Sequence, residues 1–181
     1  MNQDLQTKFD ALEKSRKKLF DSLKSLTTDE LNAMPDEKSW SVATTIRHLI
    51  LAEEMSLRYL SKKTLDTSKA ANTGLKNVWR MLLIKGVFFF DIKFKAPAIV
   101  NPEVSTETLE QLEQSWSAIR ADTYKILAKL SEADTQKELW KHALAGKLNV
   151  QQMLTFFALH ASRHTAQVER TVKMVQSSSK Q

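Results

Sequence analysis

Two histidines four residues apart, His160 and His164, stand in a segment whose apolar periodicity predicts a helix over residues 150–176. Four residues is just over one helical turn, so both imidazoles leave the same face of the helix. Each neutral ring can contribute one nitrogen to a transition metal that the two share. The chain has four histidines, of which the other two are His48 and His142. Whether the pair binds a metal therefore depends on a third ligand from elsewhere in the chain.

His48 is a candidate for that third ligand because it lies in another predicted helix, over residues 41–63. If the two helices are neighbours, three imidazoles converge, and a coordination position stays open for water or substrate. That pattern is typical of catalytic rather than structural metal sites. In the alternative, His48 satisfies a local polar contact and the pair lies on the surface by coincidence. The spacing alone is compatible with both interpretations.

The chain contains no cysteine, and this limits the chemistry that it can perform. Any metal site must use imidazole, carboxylate and water as ligands. Any thiol nucleophile would have to come from an external molecule.

Long amphipathic segments, with only three glycines and three prolines in the whole chain, predict an all-α protein. We expect a four-helix bundle with up-and-down order, in a single domain that spans residues 1–181. A long, partly helical crossover is expected over residues 64–105. The four predicted long helices cover residues 3–26, 41–63, 106–130 and 150–176.

The formal net charge of +6 would attract anionic small molecules, but the basic residues are spread among acidic ones. There is no clustered basic stripe and no recognised nucleic-acid motif, so we expect no binding to nucleic acid. The N-terminus lacks the apolar core of a secretory signal, which predicts a cytoplasmic protein.

The longest apolar run, from Met81 to Phe90, is interrupted by a lysine and is too short to span a bilayer. We rank three interpretations of it in decreasing order: packing across the bundle, a contact in a homodimer, and contact with a membrane. No membrane partner is therefore expected. Among the tryptophans, Trp40 and Trp116 are expected in the core, whereas Trp140 could line the mouth of a pocket.

Several segments resemble the signatures of a known family. SWSVATTIRHLILAEEMSLRYL begins with Trp-Ser and continues to a histidine and an acidic residue, as in the second helix of the DinB-like superfamily, which includes the YfiT-like metalloenzymes. HASRHTAQVER resembles the fourth-helix signature, HxxxH followed three residues later by Gln. KHALAGKLNVQQML resembles the glycine-containing lead-in to that helix, although His142-Ala143 stands where relatives often have His-Pro. FKAPAIVNP resembles a connector in one branch of the superfamily.

The resemblance implies a four-helix bundle that holds a divalent metal ion, usually nickel or zinc, on His48, His160 and His164. Two further residues are candidates for cofactor binding. Gln167, three residues after His164, could hydrogen-bond a metal-bound water or orient a ligand, or could make an ordinary inter-helix hydrogen bond. His142 could approach the open side of the site, or could make local hydrogen bonds.

Glu53 follows His48 by five residues, which is roughly 140° around a helix. It cannot lie squarely on the same face, so we expect it to support the site or to form an ion pair between helices, and not to bind the metal.

The resemblance also implies a function, because characterised relatives include transferases that use a low-molecular-weight thiol, some of them acting on maleylpyruvate-type adducts. A divalent metal can deprotonate an external thiol and so produce a nucleophile at neutral pH. A metal-dependent hydrolase is a variant of the same idea. The alternative is a non-enzymatic, stress-related protein that binds a small ligand and holds a structural metal. In each case the expected partner is a small molecule.

Overall fold

The computed structural model describes residues 1–92 and 100–178 of the 181-residue chain. In this part of the chain the regular secondary structure is predominantly helical, as the sequence predicts, with one short antiparallel hairpin and a 3-10 turn at Thr67–Lys69. The elements in chain order are α1 (Gln3–Leu23), α2 (Thr28–Asn32), α3 (Val42–Lys63), α4 (Leu75–Phe89), α5 (Leu109–Lys129), α6 (Glu132–Thr135), β1 (Trp140–His142), β2 (Gly146–Leu148) and α7 (Val150–Ser178).

The four long helices α1, α3, α5 and α7 form the bundle. Helix α3 packs against both α5 and α7, and α1 packs against the same two helices. The two histidine-bearing helices, α3 and α7, are therefore direct neighbours. This was the condition on which convergence of the three imidazoles depended.

Side-chain caps set the ends of the long helices. Ser41 caps α3 and Asn149 caps α7, and each side-chain oxygen accepts the backbone N–H three residues further on, at 3.0 and 2.8 Å. Helix α5 begins at Leu109, three residues later than predicted, because Thr108 is its N-cap and forms a capping box with Gln111.

The crossover contains helix α4, whose inner face packs against α7. Met81 and Ile84 are buried there, so the apolar run contributes to the core as expected, but only with one face. Of the connector FKAPAIVNP, residues 94–99 lie outside the described part of the chain. No helix in the described ranges is long and apolar enough to cross a membrane.

The connector before α7 forms the β1–β2 hairpin, in which Trp140 pairs with Leu148. The Trp140 side chain is only 2% exposed and belongs to the core cluster at that end of the bundle. The prediction that it lines a pocket mouth was wrong, because the hairpin folds its ring inward against Phe156 and Phe157.

The buried apolar side chains form two clusters, one toward each end of the bundle. Between them each long helix contributes polar side chains to a middle layer. Along α1 the clusters are separated by Glu13 and Arg16, and along α5 by Arg120. Along α7 they are separated by the turn that carries His160 and His164. The candidate site is therefore part of a polar layer across the bundle.

An ion pair in this layer joins α3 to α5. Arg120 Nε donates to Glu53 Oε2 at 2.5 Å, and Arg120 Nη2 donates to Glu53 Oε1 at 2.7 Å. The two side chains are only 3% and 4% exposed. Arg120 Nη1 also donates to Glu13 of α1 at 3.2 Å. The expectation that Glu53 forms an inter-helix ion pair is thus confirmed.

Loss of this pair should destabilise the bundle strongly. Glu53→Ala leaves the Arg120 guanidinium buried without its bidentate partner, and we expect the free energy of unfolding to fall by roughly 3–5 kcal/mol. Urea denaturation measures this change. The matched control is Glu54→Ala, which removes an exposed pair with Arg58 and should cost less than about 1 kcal/mol. Equal losses in the two variants would contradict the assignment.

Candidate metal centre

Three histidines from two helices meet at the middle of the bundle. His48 comes from α3, and His160 and His164 come from successive turns of α7. One ring nitrogen from each lies within 4.8 Å of the other two. His48 Nε2 is 3.2 Å from His160 Nε2. This group could hold a metal ion, because each imidazole offers a nitrogen toward the same small volume.

Hydrogen bonds on the outer nitrogens orient two of the three rings. His48 Nδ1–H donates to the carbonyl oxygen of Val100 at 2.6 Å, and His164 Nδ1–H donates to Gln167 Oε1 at 2.9 Å. A proton on Nδ1 leaves Nε2 with a free lone pair, so in both residues the tautomer suits metal ligation through Nε2.

Gln167 makes the inter-helix hydrogen bond that was one of its predicted roles, and it also orients one of the candidate metal ligands. Its side-chain oxygen fixes the ring of His164, and its side-chain nitrogen lies 3.5 Å from Thr45 Oγ1 on α3. Gln167 thus links His164 on α7 to α3, the helix that carries His48. Such a contact orients the ring of a histidine that binds a metal.

Aromatic rings form the walls of the group. Phe156 stacks on His160 with centroids 5.1 Å apart, and Phe88 of α4 lies 6.5 Å from the same imidazole. Trp40 lies 5.1 Å from His48. Trp40 is only half-buried, so it is not the core residue that the sequence predicted but a neighbour of the candidate ligand.

Sequence reasoning missed Phe88 and Phe156 as residues of the site. Phe156 precedes His160 by four residues, so the helical spacing used for the histidines could also have found it. Phe88 lies on a separate helix, and residue spacing does not reveal where that helix packs. The contact from Val100 is made by its backbone carbonyl, which every residue type has, so the sequence could not have indicated it.

Burial keeps the imidazoles neutral. Desolvation is the main cause that lowers the pKa of His48, lowers the pKa of His164 to about 4, and places the pKa of His160 well below its usual 6.5. Repulsion among the neighbouring rings, and from the Arg163 guanidinium, adds to the effect on His160 and His164. Neutral imidazole is the form that binds a metal, so ligation needs no proton release near pH 7.

His142 lies outside the group. Its Nδ1 accepts the backbone N–H groups of Leu144 and Ala145, at 3.2 and 3.0 Å, within the hairpin turn. This is the local hydrogen bonding that the sequence offered as one of two roles. Its ring packs on Phe156 at 4.6 Å, and Phe156 in turn stacks on His160. The ring of Phe156 thus lies between His142 and His160.

The described residues add no fourth histidine or carboxylate ligand to His48, His160 and His164. Across residues 1–92 and 100–178, no further histidine, aspartate or glutamate joins the three-histidine group. Glu53 is engaged by Arg120. Three donors with no fourth favour a site that keeps a coordination position for an exogenous ligand.

Comparison with known proteins identifies the family of the chain. The DinB superfamily matches residues 11–168, which include all three histidines and Gln167, and the chain belongs to that superfamily of metal-binding proteins. The chain is also similar to the uncharacterized protein YuaE of Bacillus subtilis (strain 168). The two are 22% identical over 162 residues, which cover 90% of this chain and 95% of YuaE.

We expect the protein, purified without a metal-binding tag, to carry about one divalent ion per chain. His164→Ala should lose it, because two remaining imidazoles bind weakly, and Gln167→Leu should retain the site with affinity lowered about 10- to 100-fold. Elemental analysis and competition with a chelator measure both effects. His142→Ala is the matched control and should keep the full metal content. A His164→Ala protein with undiminished metal would contradict the triad.

The stability of the metal-free protein should fall as the pH falls from 6.5 toward 4. The unfolded chain takes up protons on these histidines near pH 6.5, whereas folded His164 does so only near 4. Protonation therefore favours the unfolded state across that window. Thermal unfolding at a series of pH values measures the slope, and His164→Gln should flatten it. An unchanged slope in that variant would contradict the assignment of His164 as a buried neutral base.

Proposed function

We propose that the protein is a metal-dependent transferase that uses a low-molecular-weight thiol as its nucleophile. The single observation that carries the proposal is the convergence of three neutral imidazoles on one small volume without a fourth protein ligand among the described residues. The absence of cysteine means that the thiol would be supplied by a second molecule. The bound species would thus be a divalent ion, an external thiol and a small electrophile.

The donor set fits a borderline divalent ion. Three imidazole nitrogens suit nickel and zinc better than calcium or magnesium, which prefer oxygen ligands. Structural zinc sites normally have four protein ligands, whereas catalytic ones have three. The choice between nickel and zinc depends on supply as well as on affinity.

The residues of this chain would position the reactants and exclude water. The Val100 carbonyl and Gln167 hold the rings of His48 and His164 in a fixed orientation, which would keep their Nε2 atoms available to hold a divalent ion. When bound, a divalent ion supplies Lewis acidity, which lowers the pKa of an external thiol into the physiological range. The rings of Trp40, Phe88 and Phe156 would limit the access of water to this volume.

Positive charge beside the site favours an anionic thiol or substrate. Arg163 lies on α7 next to His164, and its charge is felt by both histidines of that helix. Its guanidinium packs over Phe88 at 5.7 Å and pairs with Asp91 at 2.7 Å. The arginine is thereby held at the edge of the aromatic wall, where an anionic group of an incoming molecule would have to replace Asp91 as its partner.

The test is thiol conjugation to a model electrophile, 1-chloro-2,4-dinitrobenzene. The thiolate sulfur forms a bond to the ring carbon, chloride leaves with the electron pair of the broken bond, and the thiol proton goes to solvent. The metal-loaded protein is assayed with glutathione, coenzyme A, cysteine and bacillithiol. We expect at least one thiol to be consumed faster with metal than without it. His164→Ala should lower that rate at least about 100-fold, within the range that a single catalytic feature contributes.

His142→Ala is the matched control for the assay and should keep most of the activity. If no thiol in the panel is consumed faster with the metal-loaded protein, the transferase proposal fails. Thiol-independent hydrolysis of an activated ester by the same protein would then favour the hydrolase. Tight metal retention without exchange of added azide would instead favour a structural metal in a binding protein.

A further inference from the structure

Helix α4 has two apolar faces, although only one of them is covered. Its inner face packs on α7 and carries the buried Met81 and Ile84. The opposite face exposes large apolar side chains, with Trp79 67% and Phe89 83% exposed. At 100° per residue these side chains share one arc of about 140°. The exposed set is Leu75, Val78, Trp79, Leu82, Leu83, Phe89 and, just past the helix end, Phe90.

The charges along the two long edges of this face are both positive. Lys76 and Lys85 fall on its two opposite edges, about 90° to either side of its centre. The sequence contains no aspartate or glutamate between Asp66 and Asp91. Asp91, at the end of the face, pairs with Arg163 at 2.7 Å. An apolar stripe edged by lysines is the pattern of helices that lie in a membrane interface.

We propose that the outer face of α4 docks on an anionic lipid bilayer. Trp79, Leu82 and Phe89 would enter the boundary between head groups and acyl chains, where amphipathic aromatic rings are favoured. Lys76 and Lys85 would extend from the edges to the lipid phosphates, since each lysine near an anionic surface adds to the attraction. The helix would lie parallel to the surface.

The charges decide between a bilayer and a second copy of the chain. In a two-fold symmetric dimer the same patch meets itself, so the lysines that edge one copy would lie opposite those of the other. Like charges across an interface oppose association. The sequence alone ranked a membrane contact last for this run, because it could not show that the apolar residues are exposed or that lysines edge them. For the outer face of α4, the exposed apolar side chains and the lysines at its edges favour the membrane contact over the dimer contact.

Docking through α4 would also bring the metal centre close to the lipid. Phe88, on the inner side of the same helix, lies 6.5 Å from His160. The histidine group would therefore lie roughly one helix diameter, about 10 Å, from the lipid surface. This distance follows from the position of α4 and does not depend on the proposed transferase activity.

The experiment measures binding to vesicles of phosphatidylcholine alone and of phosphatidylcholine mixed with phosphatidylglycerol, by co-sedimentation of the full chain. We expect binding only to the anionic vesicles and a decrease with added salt. The double variant Leu82→Ser, Phe89→Ser should lower the partition coefficient at least about tenfold, because it removes two apolar anchors. Lys76→Gln with Lys85→Gln should weaken binding without changing the apolar face.

The matched control is Leu65→Ser, which removes an equally exposed leucine away from α4 and should bind like the wild type. Trp79 gives a second readout, because Trp116 and Trp140 are buried and Trp40 lies against His48. A blue shift of the emission with anionic vesicles should appear in the wild type and be lost in Trp79→Phe.

Two results would overturn the proposal. One is the absence of binding to the anionic vesicles. The other is a dimer in solution that the Leu82→Ser, Phe89→Ser variant dissociates, since the face would then be occupied by a second copy. If the double serine variant loses thermal stability, the lysine variant and the Trp79 emission still decide the question, because neither removes a buried side chain.

Discussion

Polar side chains buried at the middle of the bundle must find partners within the protein, and this requirement governs how the four long helices meet. Arg120 is the clearest case, since its guanidinium is almost fully enclosed and is paired by Glu53 from α3 and Glu13 from α1. A buried charge without a partner would cost several kcal/mol, about as much as a small domain can lose. The pairing therefore restricts the rotation and axial position of α3 relative to α5.

The same restriction determines where His48 lies. His48 and Glu53 are on one helix but on different faces, so an α3 held through Glu53 on α5 presents His48 toward α7. The histidines then share the polar layer with the ion pair. Their uncharged form follows from burial, because no carboxylate among the described residues joins them to stabilise imidazolium. Because the three imidazoles are neutral, their nitrogen lone pairs can bind a metal cation.

Helix α4 connects the site to the exterior of the molecule. Its inner face contributes Phe88 to the aromatic wall beside His160, and its outer face presents apolar side chains to solvent. Burial of that outer face would change the surroundings of the site, since one helix separates the two. A membrane-associated location and a metal-centred reaction on a small molecule are therefore compatible within this fold.

The sequence by itself determined the local features. Periodicity indicated the long helices, and a four-residue spacing placed His160 and His164 on one face. These features depend on residues within a turn or two of one another, where helical geometry is fixed. Membership of the DinB superfamily was also recognisable from short signatures.

Only the tertiary structure decided what lies between segments distant in the chain. It brought His48 to the pair on α7, gave its Nδ1 the carbonyl of Val100, and turned Trp140 into the core and Trp40 toward the site. It also showed which face of α4 is covered. The physical reason is that spacing fixes which side chains share a face, whereas the choice of which faces meet depends on packing the whole set of helices together.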